Sequence, residues 1–518
     1  MSLEITYKKH SSKIFKELEV CIQIKNIQCY IPIYNRFFKL DETTWNQVQL
    51  NQPWELSSVQ LVDPPIYEGT VIGKSKSKKR VDIFFKLSPL LDPLKYLSGS
   101  YVDYDFSLPT LTNSVLPKFA EINNSAYIDS FFSYLTSRLL EQGFIHGLDF
   151  YGSYLGIKEN FVYNVDEDIE YLHDNDFFNA NRNILFTCNF MDTSNNSRKY
   201  RERLHIHEDI ILENIEVLDT TGSTIINCLE DHGIKEIHDD LVTDGSFFKS
   251  EKKDYIEDNK EDKEEDVDED DEETEYDELD VCIKQFPVQV IALEACESTL
   301  DDLLEEDLPS IELQSALMQI IMILIAYQKV FDFTHNDLHT NNVMYISTTK
   351  KFLFYKYKNI YYKVPTFGRI YKIIDFGRAI YRVNGQRFVS DSFDAEGDAC
   401  TQYNIEPFLD TSLPVMEPNY SFDLPRLACS LYELMEDEHP LKPLIVEWCK
   451  DDEGNSVLYD EQGEERYPGF KLYTMIAKTV SKHTPEMQLD RPEFKSYCTK
   501  GVKQFIDIDN LPLSLIHI

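Results

Sequence analysis

A long, nearly uncharged run, "LMQIIMILIAY" (317–327), leads into "FDFTHNDLHTNNVMY" (331–345), where two His, two Asp and three Asn stand among apolar residues. Few arrangements accept such a segment. Buried polar groups must be hydrogen-bonded or serve a site, and an ordinary core strand has no partners for seven of them. The pattern continues downstream: Asp337 and Asn342 are five apart, and "IIDFG" places Asp375 38 residues beyond Asp337. Two carboxylates and a carboxamide are oxygen donors of the kind that hold a hard cation.

The flanking segments have readable periods. "PSIELQSALMQIIMILIAYQKVFDF" predicts a long helix, with Pro at its start and apolar residues almost all round, hence a core helix. Its most apolar stretch carries Gln319 and is too short to span a bilayer. Before it, "VCIKQFPVQVIALEACESTLDDLLEE" predicts a buried strand ending near Ala295, then a short helix capped by Ser298 or Thr299. After the polar segment, "NNVMYI" and "RIYKIIDF" predict strands separated by the hairpin "FLFYKYKNIYYKVPTFG", and "SFDLPRLACSLYELM" another core helix. Upstream, "RVDIFFKLSPLL" reads as a strand and "NSAYIDSFFSYLTSRLLEQ" as an amphipathic helix capped by Asn124 or Ser125.

This succession resembles the eukaryotic-type protein kinases, with "HNDLHTNN" and "IIDFG" standing where that family has H-R-D-L-x-x-x-N and D-F-G. In its divergence and its AT-rich residue usage the chain is similar to kinase-like proteins of giant nucleocytoplasmic DNA viruses. The resemblance implies an α+β, bilobal protein-kinase-like fold: a small mixed β-sheet N-lobe with a large insertion, and a mainly α-helical C-lobe. The expected boundaries are an N-terminal extension over 1–54, the N-lobe over 55–296 with an insertion at 158–280, and the C-lobe over 297–518. The insertion contains the run 251–280, with 19 Asp and Glu against 4 Lys, expected to be disordered because nothing in it offsets the entropy of folding.

The resemblance also assigns roles. Asp337 becomes the base that accepts the proton of a substrate hydroxyl, with His339 beside it, and Asn342 and Asp375 become ligands of Mg²⁺. Lys86 in "VDIFFK" matches the strand lysine that meets the ATP phosphates, and Glu294, Ala295 and Cys296 the backbone stretch that holds adenine. Gly69 and Val71 in "PPIYEGTVIG" match the last Gly-x-Val of the glycine-rich loop, while Pro64 and Ile66 stand at its earlier glycine positions. His335, Phe376, Gly377 and Asp423 are structural support in the family. Asp129 and Glu141 are the acids available to pair with the lysine, and Asp129 is taken as the partner.

Departures from the pattern shape the functional expectation. Asn336 replaces the Arg that grips a phosphorylated activation loop, so activation by loop phosphorylation is disfavoured. His339 stands where protein Ser/Thr kinases carry Lys, as in small-molecule kinases of the same fold. No clear A-P-E follows Gly377, and Pro425 replaces the usual Trp after Asp423. The expected function is ATP- and Mg²⁺-dependent phosphoryl transfer to Ser or Thr hydroxyls of proteins. The alternatives are a small-molecule kinase, or a catalytically dead pseudokinase scaffold favoured by the degraded glycine loop.

Composition narrows the partners. A formal net charge of -40 opposes binding to nucleic acid or an anionic membrane and favours a basic protein acceptor. Ten Cys without a C-x-x-C pair fit reduced thiols rather than a disulfide framework. His205 and His207 share one strand face but lack further ligands nearby for a metal. With no apolar run of secretion-signal length near the N-terminus, the expected location is cytoplasmic.

Overall fold

The computed structural model describes residues 3–10, 12–63, 65–104, 106–112, 116–190 and 279–512. Most of the acidic run, His205, His207 and Pro64 lie outside the described residues.

A seven-stranded antiparallel sheet organises the first half of the chain. Its strands are β1 (Ile24–Gln28), β2 (Trp54–Asp63), β3 (Ile66–Gly73), β4 (Lys78–Pro89), β5 (Phe150–Asn164), β6 (Phe186–Cys188) and β7 (Asp280–Glu294). They lie in the order β1-β5-β7-β4-β3-β2, with β6 paired to the outer part of β7. The central strand β7 is buried continuously from Phe286 to Leu293, which is why "FPVQVIAL" does not alternate. Its one polar residue there, Gln289, donates to Ser153 Oγ at 2.8 Å.

Two expected boundaries shift. Residues 24–28, read as part of an extension, supply the edge strand β1 and pair with β5. The excursion expected at 158 leaves the sheet only after Asn164, because β5 and β7 stay in register out to Asn164 opposite Asp280. Apolar side chains hold that outer ladder together: Phe161 stacks on Phe286 with ring centroids 4.8 Å apart.

Helix α1 (Ser125–Leu140) is capped by Asn124, whose side chain accepts the Ala126 N–H. From residue 298 onward helices and short strands alternate: β8 (Ser298–Thr299), α2 (Leu300–Glu305), α3 (Ser310–Phe331), β9 (Val343–Ser347), β10 (Phe352–Tyr357), β11 (Ile360–Pro365), β12 (Arg369–Ile373), α4 (Asp423–Leu434) and α5 (Lys471–Thr479). Thr299 and Asp302 form a reciprocal capping box on α2. Strands β8, β9 and β12 make one small sheet, and β10 and β11 form the expected hairpin.

Among the described residues α3 is the one helix long and apolar enough to cross a membrane, and 78% of its apolar window is buried inside the protein. Gln319 is satisfied there, its Oε1 accepting the Tyr371 N–H of β12 at 3.2 Å. The helix ends at Asp332, whose left-handed φ of +51° turns the chain into the polar segment. The architecture is mixed α+β, with one contiguous buried core.

Candidate active site

Lys86 stands in β4 opposite Ile291 of β7. Its Nζ is 2.7 Å from Asp129 Oδ2 and 2.8 Å from Asp375 Oδ1. These carboxylates arrive from different elements, Asp129 from the second turn of α1 and Asp375 from the turn after β12. Contacts at its start fix α1: Asn124 donates to the Leu90 carbonyl, and the Ser125 N–H bonds Asp391, which Lys118 also pairs. The second Asp129 oxygen accepts the Phe376 N–H at 2.9 Å. Asp129 therefore binds the lysine and the D-F-G backbone together.

The exposures divide the trio. The Asp129 side chain is 3% exposed, against 22% for Lys86 and 30% for Asp375, so Asp129 is the buried anchor and the other two form the open side. Burial pushes the Asp129 carboxyl up. At Asp375 burial acts the same way, but the Lys86 ammonium outweighs it and holds the carboxyl below its usual range. Burial alone would lower Lys86; Asp129 and Asp375 together keep it above the ordinary amine range. The ammonium stays charged.

The polar segment is built around Asp337. His335 is fully buried, with Nε2 at 2.9 Å from the Ile374 carbonyl and Nδ1 accepting the Asp337 N–H at 3.2 Å. Asp423, at the start of α4, accepts the His335 and Asn336 N–H groups at 3.0 Å, fixing the loop from beneath. Phe376 is fully buried against Phe132 and Phe333. Asn342 donates from Nδ2 to the Asp337 carbonyl at 2.9 Å and lies 3.0 Å from His339 Nε2, leaving Oδ1 as the atom open to a cation. His339, expected beside the chemistry, thus orients Asn342. Asn336 adopts φ of +67°, accepts the Tyr403 hydroxyl and donates to the Arg378 carbonyl.

The Asp337 carboxylate has partners that sequence reasoning did not supply. Its Oδ1 accepts the Tyr473 hydroxyl at 2.8 Å, and its Oδ2 lies 3.3 Å from Arg378 Nη1. Arg378 is anchored in turn by Asp398, at 2.7 Å from Nη2 and 3.2 Å from Nε. Burial alone would raise the Asp337 carboxyl, but the Arg378 guanidinium overrides it, aided by His339, Arg426 and the Tyr473 hydroxyl, and holds it well below the usual carboxylate range. Arg378 had a readable signal: with Asn336 in place of Arg, a positive charge beside Asp337 had to come from elsewhere, and Arg378 directly follows D-F-G. Tyr473, 136 residues from Asp337, had none.

Glu294 ends β7 and accepts both the Asp149 N–H and the Lys372 ammonium, while its own N–H donates to the Asp149 carbonyl. The turn that follows is therefore braced from β12. Among the described residues neither the Cys296 N–H nor its C=O has a hydrogen-bond partner. Burial pushes the Cys296 thiol up to about 12, so the side chain is neutral.

The glycine loop is where geometry departs most from the pattern. Gly69 lies inside β3 opposite Val59 and Val81, and a Cβ there would meet Ile83 Cδ1 at 2.1 Å and the Ser58 carbonyl at 3.0 Å. Packing against β4 explains this glycine. Val71 is fully buried beside it. Pro65, between β2 and β3, has no N–H to offer a phosphate. Gly377 follows Phe376 with its N–H 3.4 Å from Asp375 Oδ1.

No protein-family model matches the chain, and neither does any curated protein. What the residues offer chemically is a partly exposed ammonium, a carboxylate, a carboxamide oxygen and a second ionised carboxylate. Among the described residues no group of three or more His, Cys, Asp or Glu is placed to hold a metal ion by itself. A donor set of Asp375 and Asn342 fits Mg²⁺, which keeps several waters and takes one or two carboxylates plus substrate phosphates.

Proposed function

We propose that this chain is a divergent, bilobal protein kinase that transfers the γ-phosphoryl group of ATP to Ser or Thr hydroxyls of proteins. The observation that carries the reading is the double engagement of Lys86: one ammonium, on a sheet strand, meets a buried helix carboxylate and the Asp of "IIDFG" at 2.7 and 2.8 Å. An ion trio built only for stability has no need of two partly exposed members beside an ionised Asp337. The N-lobe is then the sheet with α1, and the C-lobe begins near Glu297.

The roles follow from the residues. Lys86 binds the α and β phosphates as a point charge. Asp375 and Asn342 hold Mg²⁺, which when bound neutralises charge on the transferring phosphoryl group. The unpartnered Cys296 amide, braced through Glu294 and Lys372, presents main-chain groups to adenine. Asp337 accepts the proton of the attacking hydroxyl, while Arg378 and Tyr473 aim its carboxylate. A chain of this charge draws basic acceptors by long-range attraction.

One observation favours a second reading, a nucleotide-free scaffold: Pro65, at the turn between β2 and β3, offers phosphate no N–H group. Thermal unfolding with ATP separates the two. The kinase reading expects Mg²⁺-dependent stabilisation by ATP, about 2.7 kcal/mol at a hundredfold excess over Kd, reduced in Lys86→Met. An unmoved transition at millimolar Mg²⁺-ATP favours the scaffold.

A further inference from the structure

We propose that Tyr473 is itself a phosphoryl acceptor of this site, modified in cis; the inference rests on the phosphoryl-transfer reading above. Its hydroxyl donates to Asp337 Oδ1 at 2.8 Å, the hydrogen bond an acceptor hydroxyl makes with the base before transfer. The ring is held rather than free. Phe470 stacks on it with centroids 5.0 Å apart and planes 13° from parallel, and Arg378 and Arg426 lie 5.6 and 4.7 Å from its centroid. A hydroxyl fixed on the base in this way gains the effective concentration of an intramolecular reactant.

Arg426 supplies the independent observation. The four arginines before it, Arg369, Arg378, Arg382 and Arg387, each have a carboxylate oxygen at 2.7 Å. Arg426 is partly buried on α4 and, among the described residues, has no carboxylate within ion-pair distance, while its Nε is buried without a hydrogen-bond partner. Its charge acts on the Tyr473 hydroxyl and on Asp337, so negative charge that builds on the Tyr473 oxygen is met by a guanidinium. A phosphate ester on Tyr473 brings close to two negative charges and three acceptor oxygens within reach of Arg426 and Arg378.

The step balances. The phenolic oxygen forms its bond to the γ-phosphorus of ATP as the bond from that phosphorus to the β,γ-bridging oxygen breaks; ADP leaves with the electron pair, and the phenolic proton passes to Asp337. The product no longer donates to Asp337, which is then open to another hydroxyl.

The test uses the full chain, treated with phosphatase and then incubated with ATP and Mg²⁺. Phosphate is mapped on the peptide Leu472–Lys478, with label transfer to a generic basic protein followed in parallel. The expected result is phosphate on Tyr473, absent in Tyr473→Phe and Asp337→Asn, accumulating at a first-order rate unchanged over about a tenfold range of protein concentration. Tyr473→Phe keeps the stacked ring, so an unchanged melting transition certifies its fold. Transfer to the external protein with Tyr473 unmodified, or phosphate on Thr474 instead, overturns the self-modification and leaves the kinase reading standing. A rate rising with protein concentration overturns modification in cis. A folded chain that neither labels anything nor releases ADP overturns both.

Discussion

Asp337 is hydrogen-bonded by a tyrosine, faced by an arginine, and still partly open, a combination that fixes its charge. Its folded-state pKa is depressed, so the stabilisation it lends is complete above the unfolded value near 4 and is lost only as pH falls below that toward the folded value. Activity that depends on ionised Asp337 therefore has no acid limb from this group between roughly pH 5 and 8. Replacing Arg378 by Gln removes the largest influence opposing burial and leaves His339, Arg426 and the Tyr473 hydroxyl, so the acid limb of the kcat profile is expected to move upward. A variant profile that overlays the wild type contradicts this account of Arg378. Sequence placed Asp337, Asn342 and Asp375 because their spacing is local. It offered two acids for Lys86 and took Asp129, and the fold gives the physical reason: Glu141 pairs with Arg138 and Lys74, whereas Asp129 meets Lys86 of the sheet. Tyr473 was illegible because its proximity to Asp337 depends on how α5 packs against α4.

Strand β3 shows how an element can carry a family pattern for another reason. Gly69 was legible as the end of a phosphate loop, yet a Cβ there is also crowded by Ile83 and the Ser58 carbonyl. Gly69→Ala is expected to destabilise the chain by about 1–3 kcal/mol through overpacking against Ile83. Ile83→Val deletes the clashing Cδ1, so the double variant should lose less than the sum of the singles in urea titrations; strict additivity would show that the contact is not the cause. The join between α1 and the small strands has its own signature in His146, fully buried, with Nδ1 at 2.7 Å from the Tyr371 carbonyl and Nε2 at 2.7 Å from the Tyr355 hydroxyl. Burial lowers its pKa from 6.5 to about 4. Because the unfolded chain binds the proton first, stability is expected to fall as pH drops from 6.5 through 4, by up to about 3 kcal/mol. The gap between wild type and His146→Gln in denaturant titrations should close over that window; a constant gap refutes the assignment.

Across the whole molecule, the strands and helices that position the site were legible because each carries a local signal: the continuous apolar run of β7, the all-round apolar helix α3, the caps of α1 and α2. The boundaries were less so. Edge strand β1 comes from a stretch with no strong alternation and is held in the sheet by pairing with β5, and the β5–β7 ladder continues until its register ends at Asn164 and Asp280. Such long-range pairings leave little trace in a local window. The account as a whole rests on one claim, that Lys86, Asp337, Asn342 and Asp375 form a working phosphoryl-transfer site. Label transfer from ATP with Mg²⁺ to a generic basic protein, comparing the native chain with folded Asp337→Asn and Asp375→Asn, tests it most directly. The account expects transfer by the native chain and a loss of about a hundredfold to ten thousandfold in each variant. Transfer that persists undiminished in both variants, or a folded native chain with none, would contradict it.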